Sequence, residues 1–434
     1  MSAEKKGFMA DSDFVKSLNM PPVEDIVKTI QAAVGIPTIS GNEKKLVLQL
    51  SKIATELGCN KAYSDKMGNL IVEVAVGTGI GPKVVLTGHL DTVSATESEW
   101  DSDTKPFSGA VKNGKIYGRG VADMKGALCS MIYASAALKK LPKNFSGKIY
   151  VVGTVIEELF EGVAFLEALK DIRPDYIIVG ESSDGKINLG QRGRAEILIT
   201  VYGEPQHAST GRKVVNAIEQ VAYVIDSFHR WYHSPADPVL GKRNIVPTDI
   251  KIPLGGGGGL DGRGGNSTVP NKVEITYDVR TLVGDTQETV LDLMRNNLEP
   301  TVALGRQKYP QLNDPTIEFA SESITTYTGI VIKQPKFAPA WRTSNKSDIY
   351  LKAHAGIQKV GQKGLKTGAY SFCTDGSAIS KYRELFPEDK TEIIGYGPGS
   401  ERMAHTVNES MEIENIRKVY HGYAGIVSEL LKKL

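Results

Sequence analysis

Cysteine is scarce. Three occur in 434 residues, Cys59, Cys129 and Cys373. They are odd in number and far apart, and they lack the paired spacing of a zinc-binding or disulfide framework, which fits a reducing compartment. Charge of one sign is missing as well. Lys and Arg total 52 against 50 Asp and Glu, a net of +2. That balance gives no global pull toward nucleic acid. No apolar run is long enough to span a bilayer. The N-terminal stretch MSAEKKGFMADSDF holds no apolar signal core. The expectation is a cytoplasmic protein with neither nucleic acid nor membrane as partner. The length suits two domains better than one.

What is present is alternation of strand and helix. VEDIVKTIQAAV has apolar residues at helical spacing. Ser40 and Glu43 fit a capping box, predicting a helix from about Asn42 to Leu57. NLIVEVAV, KVVLTGH, KIYVVGTVIEE and DYIIVGE read as strands, and a helix is expected from Asp123 to about Lys140. This is the pattern of an open α/β sheet. Near Gly193 the character changes. RAEILITVYG and KVEITYDVR read as strands, and two helical stretches accompany them, the second being ETVLDLMRNNL. Between them the glycine cluster Gly255–Gly265 lacks the GK[ST] ending of a phosphate-binding loop and reads as a plain loop. The expected organisation is a catalytic domain in two parts, 1–192 and 334–434, with a small α+β domain inserted at 193–333. The chain ends on an amphipathic helix carrying Ile413, Ile416, Tyr420, Tyr423, Val427 and Leu430 on one side.

Several of these strands end in an acid or a histidine. KVVLTGH ends at His89, KIYVVGTVIEE at Glu157 and Glu158, and DYIIVGE at Glu181. Asp123 stands just ahead of its helix in GRGVADMKG, and His405 lies in GPGSERMAHTVNE. The carboxyl ends of strands in an open α/β sheet form the site crevice, so these residues should converge. Two imidazoles and several carboxylates cannot sit together uncompensated. One or two divalent ions relieve the repulsion and match a nitrogen and oxygen ligand set, for which Zn, Co and Mn are all suited. In an extended chain His89 and Asp91 point the same way. Asp91 is therefore expected to accept the second N–H of His89 and fix its tautomer. Cys373, although beside Thr374, reads as a small buried residue.

The set GHLDTV, GRGVADMKG, the EE pair of VIEELFEG, the VGE ending at Glu181, PQHAS, NSTVPNKVEITYDVR, CTDGS and AHTVNE resembles the M20 metallopeptidase family. That group includes acetylornithine deacetylase, succinyl-diaminopimelate desuccinylase and carboxypeptidase G. The pieces come in the family's order and cover nearly the whole chain. GESSDGKINLGQRGRAE is further similar to a branch of selenium-metabolism-linked hydrolases.

The resemblance implies an open mixed-sheet, zinc-peptidase-like α/β catalytic domain with an inserted α+β lid that also dimerises. It implies two divalent ions, zinc first. His89, Asp123 and Glu181 would hold one; Asp123, Glu158 and His405 would hold the other, with Asp123 bridging and a cis peptide after it. Glu157 would be the general base on a metal-activated water, and His207 an oxyanion donor. Asn266 and Arg280 would grip a substrate carboxylate, with Thr374 lining the same pocket. The expected reaction is hydrolysis of the amide bond of a small N-acyl or N-carbamoyl amino acid. The alternatives are an exopeptidase of di- or tripeptides and, in another class, a silent binding protein on the same fold.

Overall fold

The computed structural model describes residues 12–209, 214–258, 263, 265 and 267–433. Asn266 and much of the glycine cluster lie outside the described residues. The chain divides into two compact units. One comprises Met1–Gln191, Ile324–Ile332 and Trp341–Leu434, and the other Arg192–Ser323 and Lys333–Ala340.

The first unit is built on a mixed nine-stranded sheet. Its path runs Lys61–Ser64, Leu70–Val76, Gly147–Thr154, Lys83–His89, Tyr176–Val179, Glu392–Gly395, Ile187–Gln191 and Trp341–Arg342, and Thr367–Tyr370 also pairs with Ile187–Gln191. The centre is parallel. Lys83–His89 pairs with Gly147–Thr154 on one side and Tyr176–Val179 on the other. The flank Leu70–Val76 is antiparallel. Central strands are buried on both faces, which explains their nearly unbroken apolar runs. Val84, Leu86, Ile149 and Val151 join the core on one face with the helices Gly126–Leu138 and Ile413–Leu430. Val85, Tyr150 and Val152 point the other way, against Phe165 and Leu169 of the helix Val163–Ile172. Alternation along each strand thus feeds two cores.

Two local expectations change. The helix after Ser40 spans Lys44–Glu56, and Ser40 is not its cap. The Ser40 hydroxyl donates to Asp91 Oδ2 at 2.6 Å, and Glu43 Oε1 accepts from Gly41 N and Ile156 N. Long-range acceptors and donors have outcompeted the local box. The helix expected from Asp123 is regular only over Gly126–Leu138. Asp123 and Met124 have non-helical backbone, and the bond joining them is cis. The segment Ile324–Ile332 also belongs to the first unit, where Tyr327 Oη donates to the Gly68 carbonyl at 2.8 Å.

The second unit has its own antiparallel sheet, in the order Asn244–Lys251, Lys272–Thr281, Gly193–Tyr202 and Thr316–Phe319, with Phe337–Ala338 also on Gly193–Tyr202. Lys272–Thr281 alternates strictly between buried and half-buried positions. Its inner face, Val273, Ile275, Tyr277 and Val279, packs with Val221, Val224 and Phe228 of the helix Ala217–Trp231 and Met294 and Leu298 of the helix Gln287–Lys308. No helix among the described residues is long and apolar enough to cross a membrane.

Candidate metal centre

The central strands deliver their terminal residues to one place. His89 closes Lys83–His89, while Glu157 and Glu158 follow Gly147–Thr154, and Glu181 follows Tyr176–Val179. Asp123 comes from the irregular turn ahead of Gly126–Leu138. His405 comes from the loop before the last helix and adopts a left-handed φ of 61°.

Asp123 stands between the two imidazoles. Its Oδ1 lies 2.9 Å from His89 Nε2 and its Oδ2 lies 3.4 Å from His405 Nε2. His89 Nε2 is also 3.6 Å from Glu181 Oε1, and His405 Nε2 is 3.0 Å from Glu158 Oε2. Ligand atoms of His89, Asp123 and Glu158 fall within 4.8 Å of one another, and so do those of His89, Glu157 and Glu181. All of these are buried or nearly so except His405, half of whose side chain is exposed.

The electrostatics follow from burial. Burial alone would pull the His89 imidazole down, but Glu157, Asp123 and Glu181 outweigh it and hold it well above the usual histidine range. Burial would raise Asp123, yet the hydrogen bond and charge of His89 hold it below the usual carboxylate range. Burial lifts Glu181 well up, and the charge of Asp123 adds to it. Burial likewise lifts Glu157, partly offset by His89. Glu181 Oε2 is buried with no hydrogen-bond partner among the described residues. A buried carboxylate oxygen without a donor is costly, and here it belongs to a cluster of nitrogen and oxygen donors. The residues therefore fit divalent ions, which such clusters hold at these atoms.

Asp91 does something other than expected. His89 Nδ1 is 2.8 Å from the main-chain carbonyl of Asp91, whereas the carboxylate is 3.7 Å away. A carbonyl only accepts, so Nδ1 carries the proton and Nε2 faces the acids. The carboxylate accepts instead from Glu157 N, Glu158 N and Ser40 Oγ. It was drawn off because those donors are closer and better placed.

Thr374 sits inside the turn of CTDGS. It is fully buried, caps Gly376 N at 3.0 Å and hydrogen-bonds Gln191 Oε1. With its hydroxyl engaged this way, it braces the turn ahead of Asp375. Its neighbour Asp375 accepts from Thr154 Oγ1 and Gly162 N, and burial, with a smaller push from Asp91, lifts it to about 6 against those donors and the charge of His89. Sequence reasoning missed Asp375 although CTDGS contains it. It also missed Glu409, the last residue of AHTVNE. That carboxylate accepts from Arg119 Nη1 at 2.8 Å and from the amides of Gly120, Ala122 and Asp123.

His207 and Arg280 lie in the second unit. His207 is exposed on the short strand Gln206–His207 and its Nδ1 is 2.8 Å from Ser209 Oγ. Arg280 grips Asp278 through Nε and Nη2 at 2.7 and 3.1 Å. A substrate carboxylate would have to compete with Asp278 for that fork.

An open mixed sheet with imidazoles and carboxylates at its strand ends defines a metal-dependent hydrolase. Comparison with known proteins makes this specific: residues 85–429 match peptidase family M20/M25/M40, and the chain belongs to that family. It is a metal-dependent amidohydrolase or peptidase. It is 27% identical over 390 residues to the uncharacterized protein YgeY of Escherichia coli K12, covering 89% of each chain. It is 30% identical over 257 residues to acetylornithine deacetylase of Proteus mirabilis, covering 57% of this chain and 62% of that one. Among solved structures, aminopeptidase PepT of Bacillus cereus shares the fold with a TM-score of 0.68 at 22% identity, over 94% of this chain and 99% of that one.

Proposed function

We propose that the protein hydrolyses the amide bond of a small N-acyl or N-carbamoyl amino acid. The observation that carries this is Asp123 set between His89 and His405, with buried Glu157 beside them. His89, Asp123 and Glu181 would hold one ion, and Asp123, Glu158 and His405 the other, with zinc, cobalt or manganese suited to the donors. When bound, the ions supply Lewis-acid polarisation and lower the pKa of water. Glu157 takes the proton of the attacking water and hands it to the leaving nitrogen. Its buried carboxyl, with raised proton affinity, suits that shuttle. His207 donates to the developing oxyanion, and Arg280 releases Asp278 to bind the substrate carboxylate, with Asn266 assisting. The likeness to acetylornithine deacetylase supports an acyl amino acid over a peptide. The second unit is read as a lid and as the contact of a homodimer.

The test is a panel of N-acyl amino acids, N-carbamoyl amino acids and dipeptides, assayed with and without chelator beside Glu157→Gln. We expect chelator-sensitive turnover of acyl amino acids. The variant should bind metal as the wild type does and lose at least about a thousandfold in kcat. Preference for dipeptides would overturn the substrate class, and an active variant would overturn the base.

A further inference from the structure

The turn that carries Glu157 is held in an unusual way. Four consecutive main-chain amides lead through it, and each meets a side-chain oxygen from a distant part of the chain. Asn69 Oδ1 accepts from Val155 N, Glu43 Oε1 from Ile156 N, and Asp91 Oδ1 and Oδ2 from Glu157 N and Glu158 N, all at 3.1 Å. The three acceptors are completely buried.

Ile156 is the difficult residue of this turn. It has a φ of +56°, in the left-handed region. A β-branched side chain is strained there and stays only where its surroundings hold it. Its carbonyl is fixed by Phe160 N at 2.9 Å and Leu159 N at 3.3 Å. Its amide is fixed by Glu43. The next residue is Glu157, so the direction of that carboxyl depends on how this one backbone unit is turned.

The main chain of Glu43 opens the helix Lys44–Glu56, while its side chain turns to other amides. Oε1 accepts from Gly41 N at 2.8 Å as well as from Ile156 N. Oε2 is buried with no hydrogen-bond partner among the described residues. Burying a carboxyl with one oxygen unused costs stability, a cost that a smaller neutral acceptor would avoid. The reach of a glutamate is what brings an oxygen from the start of the helix Lys44–Glu56 to the strained amide.

We infer that Glu43 is a positioning residue for the general base, locking the left-handed Ile156 so that Glu157 faces the reacting atoms. This rests on the reading of Glu157 as base. Asn69 and Asp91 pin the amides before and after, and Glu43 pins the strained one between.

The experiment compares Glu43→Gln, Glu43→Asp, Glu43→Ala and the double variant Glu43→Ala with Ile156→Gly. It measures kcat and KM on the best N-acyl amino acid of the panel and metal content by mass spectrometry. Glutamine keeps an oxygen at the same reach, so Glu43→Gln should stay within about threefold of wild type in kcat. Aspartate keeps the acid but falls one methylene short. Glu43→Asp and Glu43→Ala should each lose about 10- to 100-fold in kcat, the order that a displacement of roughly 1 Å costs, with KM and metal content unchanged. Glycine adopts a positive φ without strain, so adding Ile156→Gly should recover at least about tenfold of the alanine variant's loss. Glu43→Asp carries the comparison if the alanine variant fails to fold. Wild-type kcat in Glu43→Asp would overturn the inference, and so would a loss that tracks metal content or that glycine does not recover. Glu157→Gln runs beside them. If it retains turnover, the reading of the base has failed. If it is inactive while Glu43→Asp is fully active, only the positioning role has failed.

Discussion

A carboxyl group with no surface exposure must either keep its proton or lose its hydration, and Glu43 meets that choice near neutrality. Burial, then the charge of Asp91, lift it from 4.5 to about 7. The folded value lies above the unfolded one. The stability it contributes is therefore complete below about pH 4.5 and is lost as pH rises through about 7. The whole loss is roughly 3 kcal/mol. Glutamine has no proton to lose. Urea unfolding of wild type and Glu43→Gln at pH 5 and pH 8 should show the difference in stability moving toward the variant by up to roughly 3 kcal/mol as pH rises. A difference that stays constant would mean that the carboxyl is charged throughout. The same residue shows where sequence reading stops. Ser40 and Glu43 fit a local capping box, and nothing in their spacing revealed that Glu43 reaches Ile156, 113 positions along. At His89 and Asp91, alternation gave the shared face correctly. It could not tell the carbonyl of Asp91 from its carboxylate, because that choice depends on the donors at residues 157 and 158.

Elements were more legible than contacts, for a physical reason. A parallel strand buried on both faces must be apolar nearly throughout, so KVVLTGH and DYIIVGE announce themselves, and so do the acids and the histidine that end such runs. The helix VEDIVKTIQAAV is found where its periodicity put it, at Val23–Val34. ETVLDLMRNNL fared differently. The helix runs on through Pro300 to Lys308, and beyond the proline Val302 still packs against the core that Val290, Met294 and Leu298 join, which offsets one missing amide. Close approach between elements was not legible at all. The helices Asp348–Lys359 and Ile413–Leu430 meet backbone to backbone at Gly356 and Gly425. A Cβ on Gly356 would lie 2.5 Å from the carbonyl carbon and oxygen of Gly425, and a Cβ on Gly425 would lie 2.2 Å from Gly356 O. Neither atom is the end of a flexible side chain, so the helices would have to part. Gly425→Ala should cost about 1–3 kcal/mol and lower the melting temperature of the first unit by several degrees. Thermal unfolding followed by circular dichroism reads this. An unchanged melting temperature would show that the helices can separate at no cost.

At the scale of the molecule, two units with separate cores share one polypeptide, and the whole candidate centre lies in one of them. His89, Asp123, Glu157, Glu158, Glu181 and His405 all belong to the first unit, whose cores involve Leu86, Val151 and Tyr423 on one face and Val85 and Phe165 on the other. The second unit closes its own core around Ile197, Ile275, Phe228 and Met294. Ions that bind only the folded centre stabilise it by mass action, by about 2.7 kcal/mol when free metal stands at a hundred times Kd. Removing them also leaves buried carboxylates facing one another around His89. Both effects act on the first unit. Scanning calorimetry of the full chain should therefore resolve a transition that falls when chelator is added and another that does not move. The chelator-sensitive one should be the transition lowered by Gly425→Ala, since that crossing lies in the same unit. If chelation moved every transition equally, the two cores would be unfolding as one. If it moved none, while metal analysis showed the ions gone, metal binding would contribute nothing to the folding of the unit that carries Asp123.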